Sequence, residues 1–130
     1  MLRLAEFIAG RYRGKVVEVG IGNFTAVAEM LAKSGLHVVA TDVVRRKVPD
    51  GVGFFVDDIN SPRLWIYDKA SLVYSIRPPP EIVPAILRVA GEIGADCIVK
   101  PLYGDHFDGK LFNYRGLAFY YWGREHDKGD

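Results

Sequence analysis

The sequence predicts a three-layer α/β domain: a mostly parallel sheet with helices on both faces, closed at its C-terminal end by an antiparallel edge strand or hairpin. Three observations carry this. Short apolar runs alternate with segments of helical periodicity. Glycines and prolines punctuate the chain at short intervals along its length, and no internal repeat, low-complexity tract or linker interrupts the pattern. At 130 residues the chain has the length of one domain, so residues 1–130 are read as a single unit.

Taken in order, residues 2–12 are read as a helix packed on the sheet. Residues 15–19 (KVVEV) form a short apolar run that ends at Gly20, as a buried strand would. Residues 24–34 (FTAVAEMLAKS) place apolar side chains at 24, 27, 28, 30 and 31, the spacing of a helix, and Gly35 suits its C-cap. The β-branched, apolar residues 36–41 (LHVVAT) return as a second strand and complete a βαβ unit. A third strand is predicted at 52–56 (VGFFV), a short helical turn from Ser61-Pro62 through Tyr67, and a fourth strand at 71–76 (SLVYSI). Residues 81–94 (EIVPAILRVAGEIG) carry one apolar helical face, with Pro84 tolerable in the first turn. Residues 96–100 (DCIVK) make a fifth strand, and the aromatic stretch 110–122 around Arg115-Gly116 makes the closing hairpin or edge strand.

Composition narrows the function classes. Seventeen basic and sixteen acidic residues give a net charge of +1, which supplies no bulk footprint for nucleic acid or membranes, although a local basic patch is compatible with it. The longest stretch free of Asp, Glu, Lys and Arg is residues 19–28, far short of the roughly 20 that span a bilayer. The charged N-terminus MLRLAEF lacks the apolar core of a secretory signal, so the chain is read as a mature cytoplasmic protein. Cys97 is the single cysteine, which excludes an internal disulfide, and its place in the fifth strand reads as a small core residue.

In an open α/β sheet, ligands bind beyond the carboxyl ends of the strands, at the point where strand order reverses. The first loop there is Glu18-Val19-Gly20-Ile21-Gly22-Asn23-Phe24. Gly20 allows a tight turn, Gly22 lets a ligand approach the backbone, and the next helix offers free N–H groups. Asp42, twenty residues beyond Gly22 at the end of the second strand, is placed to accept hydrogen bonds from ribose hydroxyls; the alternative is a turn cap. Asp57 and Asp58 follow the third strand, either as a solvated or turn-capping pair or as adenine-recognition residues. Adjacent residues of a strand face opposite ways, so one of them, Asp58 by preference, would touch a base, with Ile59 giving apolar contact.

The run VEVGIGNF resembles the first motif of Rossmann-like, S-adenosylmethionine-dependent methyltransferases, with an acidic residue before Gly-x-Gly. That resemblance implies S-adenosylmethionine as cofactor. It places Gly20 and Gly22 against the methionine moiety with Glu18 helping to position it, Asp42 on the ribose, and Asp57 or Asp58 at the adenine amino group. Phe24 stands where a third glycine is frequent and reads as a core residue of the helix face. The fourth loop, Tyr74-Ser75-Ile76-Arg77-Pro78-Pro79-Pro80-Glu81, lies where amino-group methyltransferases carry an Asn or Asp, two prolines and an aromatic; here Arg77 and Pro80 depart from that pattern. Arg77 cannot accept a hydrogen bond, so it is read as a clamp for a phosphate or carboxylate on the substrate, or as a structural partner of Asp57 or Asp58. Ser75 and Arg77 are the candidate catalytic residues. The set VEVGIGNF, VATDV, FFVDDIN, LVYSIRPPPE and IVKPL is similar, over nearly the whole chain, to a small uncharacterised archaeal family with a methyltransferase-like core.

These readings lead to an S-adenosylmethionine-binding domain, a methyltransferase acting on RNA or another anionic substrate near Arg77. The rival is a catalytically inactive module of the same fold that binds a nucleotide or protein partner; its support is the small size, which leaves no residues for a separate substrate domain. A nicotinamide-binding domain is the third reading, favoured by Asp42 and opposed by Thr25, where Gly or Ala is wanted. No metal is assigned: Asp105, His106 and Asp108 read as a flexible polar loop. Arg45-Arg46-Lys47, just after Asp42, reads as a solvated loop, the alternative being a contact for a 2′-phosphate or RNA. The aromatic tail and small size suggest a homodimer, and no membrane partner is expected.

Overall fold

In the computed structural model, residues 1–123 are described; His126, read from the sequence as part of a polar tail, lies outside them. The elements run α1 (Leu2–Arg11), β1 (Lys15–Val19), α2 (Ala26–Lys33), β2 (His37–Asp42), β3 (Val52–Val56), β4 (Ala70–Ile76), α3 (Val83–Ile93), β5 (Asp96–Lys100), β6 (Lys110–Tyr114) and β7 (Leu117–Trp122). Short 3-10 turns at Leu64–Ile66 and Pro80–Ile82 precede β4 and α3. The seven strands form one sheet in the order β3-β2-β1-β4-β5-β7-β6. The first five are parallel, and the β6–β7 hairpin adds to β5 with β7 antiparallel.

Strand alternation sorts the apolar side chains into two cores. Val16, Val38, Ala40, Leu72, Tyr74 and Ile98 face α1 and α2, while Val17, Val39, Val73, Cys97 and Val99 face α3 and the 3-10 turn after β3. Burying both faces of β1, β2 and β4 explains why those strands read as near-continuous apolar runs rather than alternating ones. Burial also pushes the Cys97 thiol up, in keeping with an unreactive core residue.

Several boundaries differ from the sequence reading for local reasons. The stretch at 24–34 begins its helix at Ala26, because residues 20–25 are spent on the turn, with Thr25 as the N-cap. The Leu36 N–H still bonds the helix carbonyl of Leu31 at 3.2 Å, so β2 starts at His37. The run at 81–94 enters through a 3-10 turn imposed by the prolines and ends with Gly94 at φ +79. Among the described residues, no helix is long and apolar enough to cross a membrane.

Candidate functional site

Sheet order reverses at β1, which lies between β2 and β4, so the loops leaving β1, β2 and β4 open a crevice at the carboxyl edge. Gly20 (φ +69) and Gly22 (φ +58) both adopt the left-handed backbone that suits glycine. The N–H groups of Gly20 and Ile21 bond the Thr41 carbonyl at 2.9 and 3.0 Å, pinning the loop to the end of β2. A Cβ added at Gly20 or Gly22 meets no atom within 4 Å, so the space above this loop is open to a ligand.

Asp42 is 8% exposed and already engaged. Its Oδ2 accepts from the Gly22 N–H at 2.8 Å and from Arg46 Nε at 3.2 Å, and its Oδ1 from the Val43 N–H at 2.7 Å. A carboxylate has about four acceptor positions, so one remains, on Oδ1. Arg46 is steadied further by Asn23 Oδ1, 3.4 Å from Nη1.

The end of β3 supplies the next pair. Asp57 is buried: Oδ1 accepts from the Arg63 N–H at 3.1 Å and Nε at 3.2 Å, and Oδ2 accepts from the Tyr67 hydroxyl at 2.8 Å. Burial and this carboxylate push the Tyr67 phenol up. Asp58 is exposed and caps a turn through the Asn60 N–H at 2.9 Å, and Ile59 is buried beside it. Gly20, Gly22, Asp42, Asp57, Asp58 and Ile59 all line one cavity of about 490 Å³, within the ~300–1,000 Å³ of small-molecule sites. Arg46, Pro79 and Ile82 line it too.

Glu18, Ser75 and Arg77 are placed otherwise. Glu18 is 1% exposed beneath the loop and accepts from the Tyr74 hydroxyl at 2.8 Å. Burial pushes its carboxyl up to about 8, with the Tyr74 bond opposing the rise, so it is mostly protonated at neutral pH. Ser75 is fully buried, its hydroxyl donating to the Val19 carbonyl at 2.7 Å, which ties β4 to β1. Neither side chain lines the cavity. Arg77 follows β4 with φ +53, its N–H on the Lys100 carbonyl at 2.6 Å and its guanidinium over the Phe24 ring at 5.4 Å. It pairs with neither Asp57 nor Asp58; Arg63 takes the former, a pairing six residues apart that no sequence period marks. Arg46 was legible only as one of three cations, although its i, i+4 spacing from Asp42 is a pairing signal.

A second cavity of about 520 Å³ lies between α3 and β5–β7 and includes Cys97 and Trp122. Among the described residues, no group of three or more His, Cys, Asp or Glu side chains is arranged to hold a metal ion. Asp105, in the loop between β5 and β6, keeps one buried carboxylate oxygen without a hydrogen-bond partner among the described residues.

Solved structures with this fold include the methyltransferase CcbJ from Streptomyces caelestis: TM-score 0.60, 19% identity, 85% of this chain and 53% of that one. Another is a putative S-adenosyl-L-methionine-dependent methyltransferase from Methanococcus maripaludis: TM-score 0.57, 17% identity, 79% of this chain and 56% of that one. At such identities the likeness is one of fold, Rossmann-like and of the methyltransferase type, and the chain spans about half the length of those enzymes. Among sequences, a UPF0146 protein of Archaeoglobus fulgidus is 58% identical over 96% of both chains. One from Pyrococcus furiosus is 38% identical over 94% of this chain and 98% of its own. With residues 1–124 also matching the uncharacterised protein family UPF0146 as a whole, the chain belongs to that family.

Proposed function

We propose that the protein binds S-adenosylmethionine across the ends of β1, β2 and β3 and transfers its methyl group to an anionic or nucleic-acid acceptor entering over the β4–α3 loop. The observation that carries this reading is the single cavity joining the two left-handed glycines to Asp42, Asp58 and Ile59. The residues fit the group: Gly20 and Gly22 leave room for its amino-acid end, the free position on Asp42 Oδ1 takes a ribose hydroxyl, and Ile59 gives an apolar face for adenine. When bound, S-adenosylmethionine supplies an electrophilic methyl on a sulfonium. The chain's own part is to orient: Ser75 and the Glu18–Tyr74 bond hold β1 and β4 together beneath the site, and Pro78-Pro79-Pro80 fixes its rim.

A saturating ligand at 100 times its Kd stabilises a fold by about 2.7 kcal/mol, which for a chain of this size is roughly 10 °C in Tm. S-adenosylhomocysteine is expected to give a shift of that order. Asp42→Asn, which keeps the shape and loses the charge, is expected to reduce it to below about 3 °C. An unchanged shift in Asp42→Asn contradicts the ribose assignment.

The second reading, a non-catalytic module, has one observation in its favour. Asp42 and Asp57 are engaged by Gly22, Arg46, Arg63 and Tyr67 with no ligand needed, as structural carboxylates would be. No shift with S-adenosylhomocysteine or S-adenosylmethionine is the result that favours it.

A further inference from the structure

The ion pairs Lys33–Glu29, Arg46–Asp42, Arg63–Asp57 and Arg115–Glu6 each use a cation away from the ends of β4 and β5. At those two strand ends stand Arg77 and Lys100. Within the described residues neither side chain makes a hydrogen bond or an ion pair. Arg77 is nonetheless fixed. Its backbone is held at φ +53, a conformation costly for any residue but glycine, by the 2.6 Å bond to the Lys100 carbonyl and by Pro78 directly behind it. Its guanidinium lies over the Phe24 ring, which leaves the five N–H donors along its edges unspent.

Lys100 belongs to the same place. Ile76 and Lys100 are register partners, and Ile76 and Ile98 belong to the core facing α1 and α2, so alternation puts Lys100 on that face as well. Phe24 packs against the same core. Two cations and an aromatic plate thus share one face at the carboxyl edge, next to the Gly20–Gly22 loop. Non-glycine residues in this backbone region cluster at functional sites; Arg77 shares the conformation with Lys69 and Arg115, and what sets it apart is its place at the carboxyl edge against Phe24.

We propose that Arg77 on Phe24, with Lys100, forms an oxyanion site that holds a terminal, dianionic phosphate of the methyl acceptor. The proposal rests on the methyl-transfer reading above and narrows its acceptor. Two neighbouring cations match a doubly charged tetrahedral phosphate better than a singly charged carboxylate or phosphodiester, and the planar fork of Arg77 can engage two phosphate oxygens at once. Phe24, which stands where a glycine is frequent in the motif the sequence resembles, gains a role: it is the plate that orients the guanidinium.

The test is an NMR titration of the full chain at constant ionic strength with inorganic phosphate, dimethyl phosphate and acetate, each with and without S-adenosylhomocysteine. Phosphate is expected to perturb Phe24, Arg77 and Lys100 selectively and to bind at least threefold more tightly than either monoanion. Arg77→Gln is expected to weaken it at least fivefold and Phe24→Leu about threefold, while the exposed α3 variant Arg88→Gln leaves it unchanged. Perturbations spread over all exposed cations, equal binding of the monoanions, or full affinity in Arg77→Gln would each overturn the proposal. So would competition, in which S-adenosylhomocysteine displaces phosphate and itself binds less tightly to Arg77→Gln, because the anion would then be the cofactor's own carboxylate. Phosphate at Arg77 with no binding of S-adenosylhomocysteine supports the oxyanion site and removes the methyl-transfer reading instead.

Discussion

The two halves of the carboxyl edge are built in opposite ways. At the ends of β2 and β3, Asp42 and Asp57 are buried and each takes three hydrogen bonds from its own chain. At the ends of β4 and β5, Arg77 and Lys100 have no polar side-chain partner among the described residues. The first half is polar and satisfied, so its carboxylates hold the loops in place and a ligand there must compete for, or share, what is already bonded. The second half is polar and open, so an anion arriving there meets donors with nothing to displace. A charged side chain's part in stability and its readiness for a ligand are therefore inversely related along this edge.

If that contrast holds, substitutions on the two sides should affect folding unequally. The largest effect is expected at Glu18, beneath the glycine loop. Its carboxyl is raised in the fold to about 8 by burial, whereas in the unfolded chain it titrates near 4.5. Between those values the native state keeps a proton that the unfolded chain has released, so stability falls as pH rises through the window. The contribution is fully present below about 4.5 and lost above about 8. Denaturant midpoints at pH 5, 7 and 9 should drop steeply in the wild type and flatten in Glu18→Gln, which keeps an acceptor for Tyr74. Parallel profiles would show that Glu18 does not carry the slope.

Next in size is Asp57→Ala, which strips the buried Tyr67 hydroxyl of its acceptor and Arg63 of its partner. A loss of about 3 kcal/mol is expected from urea unfolding. Ser75→Ala removes one buried bond to the Val19 carbonyl and should cost about 1 kcal/mol. The smallest effect is expected at Arg77→Gln, within about 0.5 kcal/mol of the wild type, because its guanidinium stabilises little beyond the contact with Phe24. A loss at Arg77 as large as that at Asp57 would erase the contrast.

The sequence carried the elements well wherever a short apolar run ended at a glycine, an acidic residue or a proline, as at β1 before Gly20, β3 before Asp57 and β5 before Pro101, whose bounds match the strands observed. It also gathered Gly20, Gly22, Asp42, Asp57, Asp58 and Ile59, because strand ends of a parallel sheet share one edge whatever the side chains do. What it did not carry are the partners across the fold. Asp57 with Arg63 and Tyr67, and Arg77 with Phe24, depend on how loops fold back, and no period in the chain encodes that. Ser75 shows the same limit. Its neighbours Tyr74 and Ile76 face the α1–α2 core, so alternation turns Ser75 to the other face, where it meets Val19 instead of the crevice.

The measurement that bears most directly on the central claim is calorimetric titration of the protein with S-adenosylmethionine, S-adenosylhomocysteine and NAD in parallel. Micromolar binding of the first two, with none for NAD and a loss of about 100-fold in Asp42→Ala, is the expected result; that loss corresponds to about 2.8 kcal/mol. Heat with NAD alone, or with none of the three while the melting temperature stays unchanged, would contradict the assignment of the cavity.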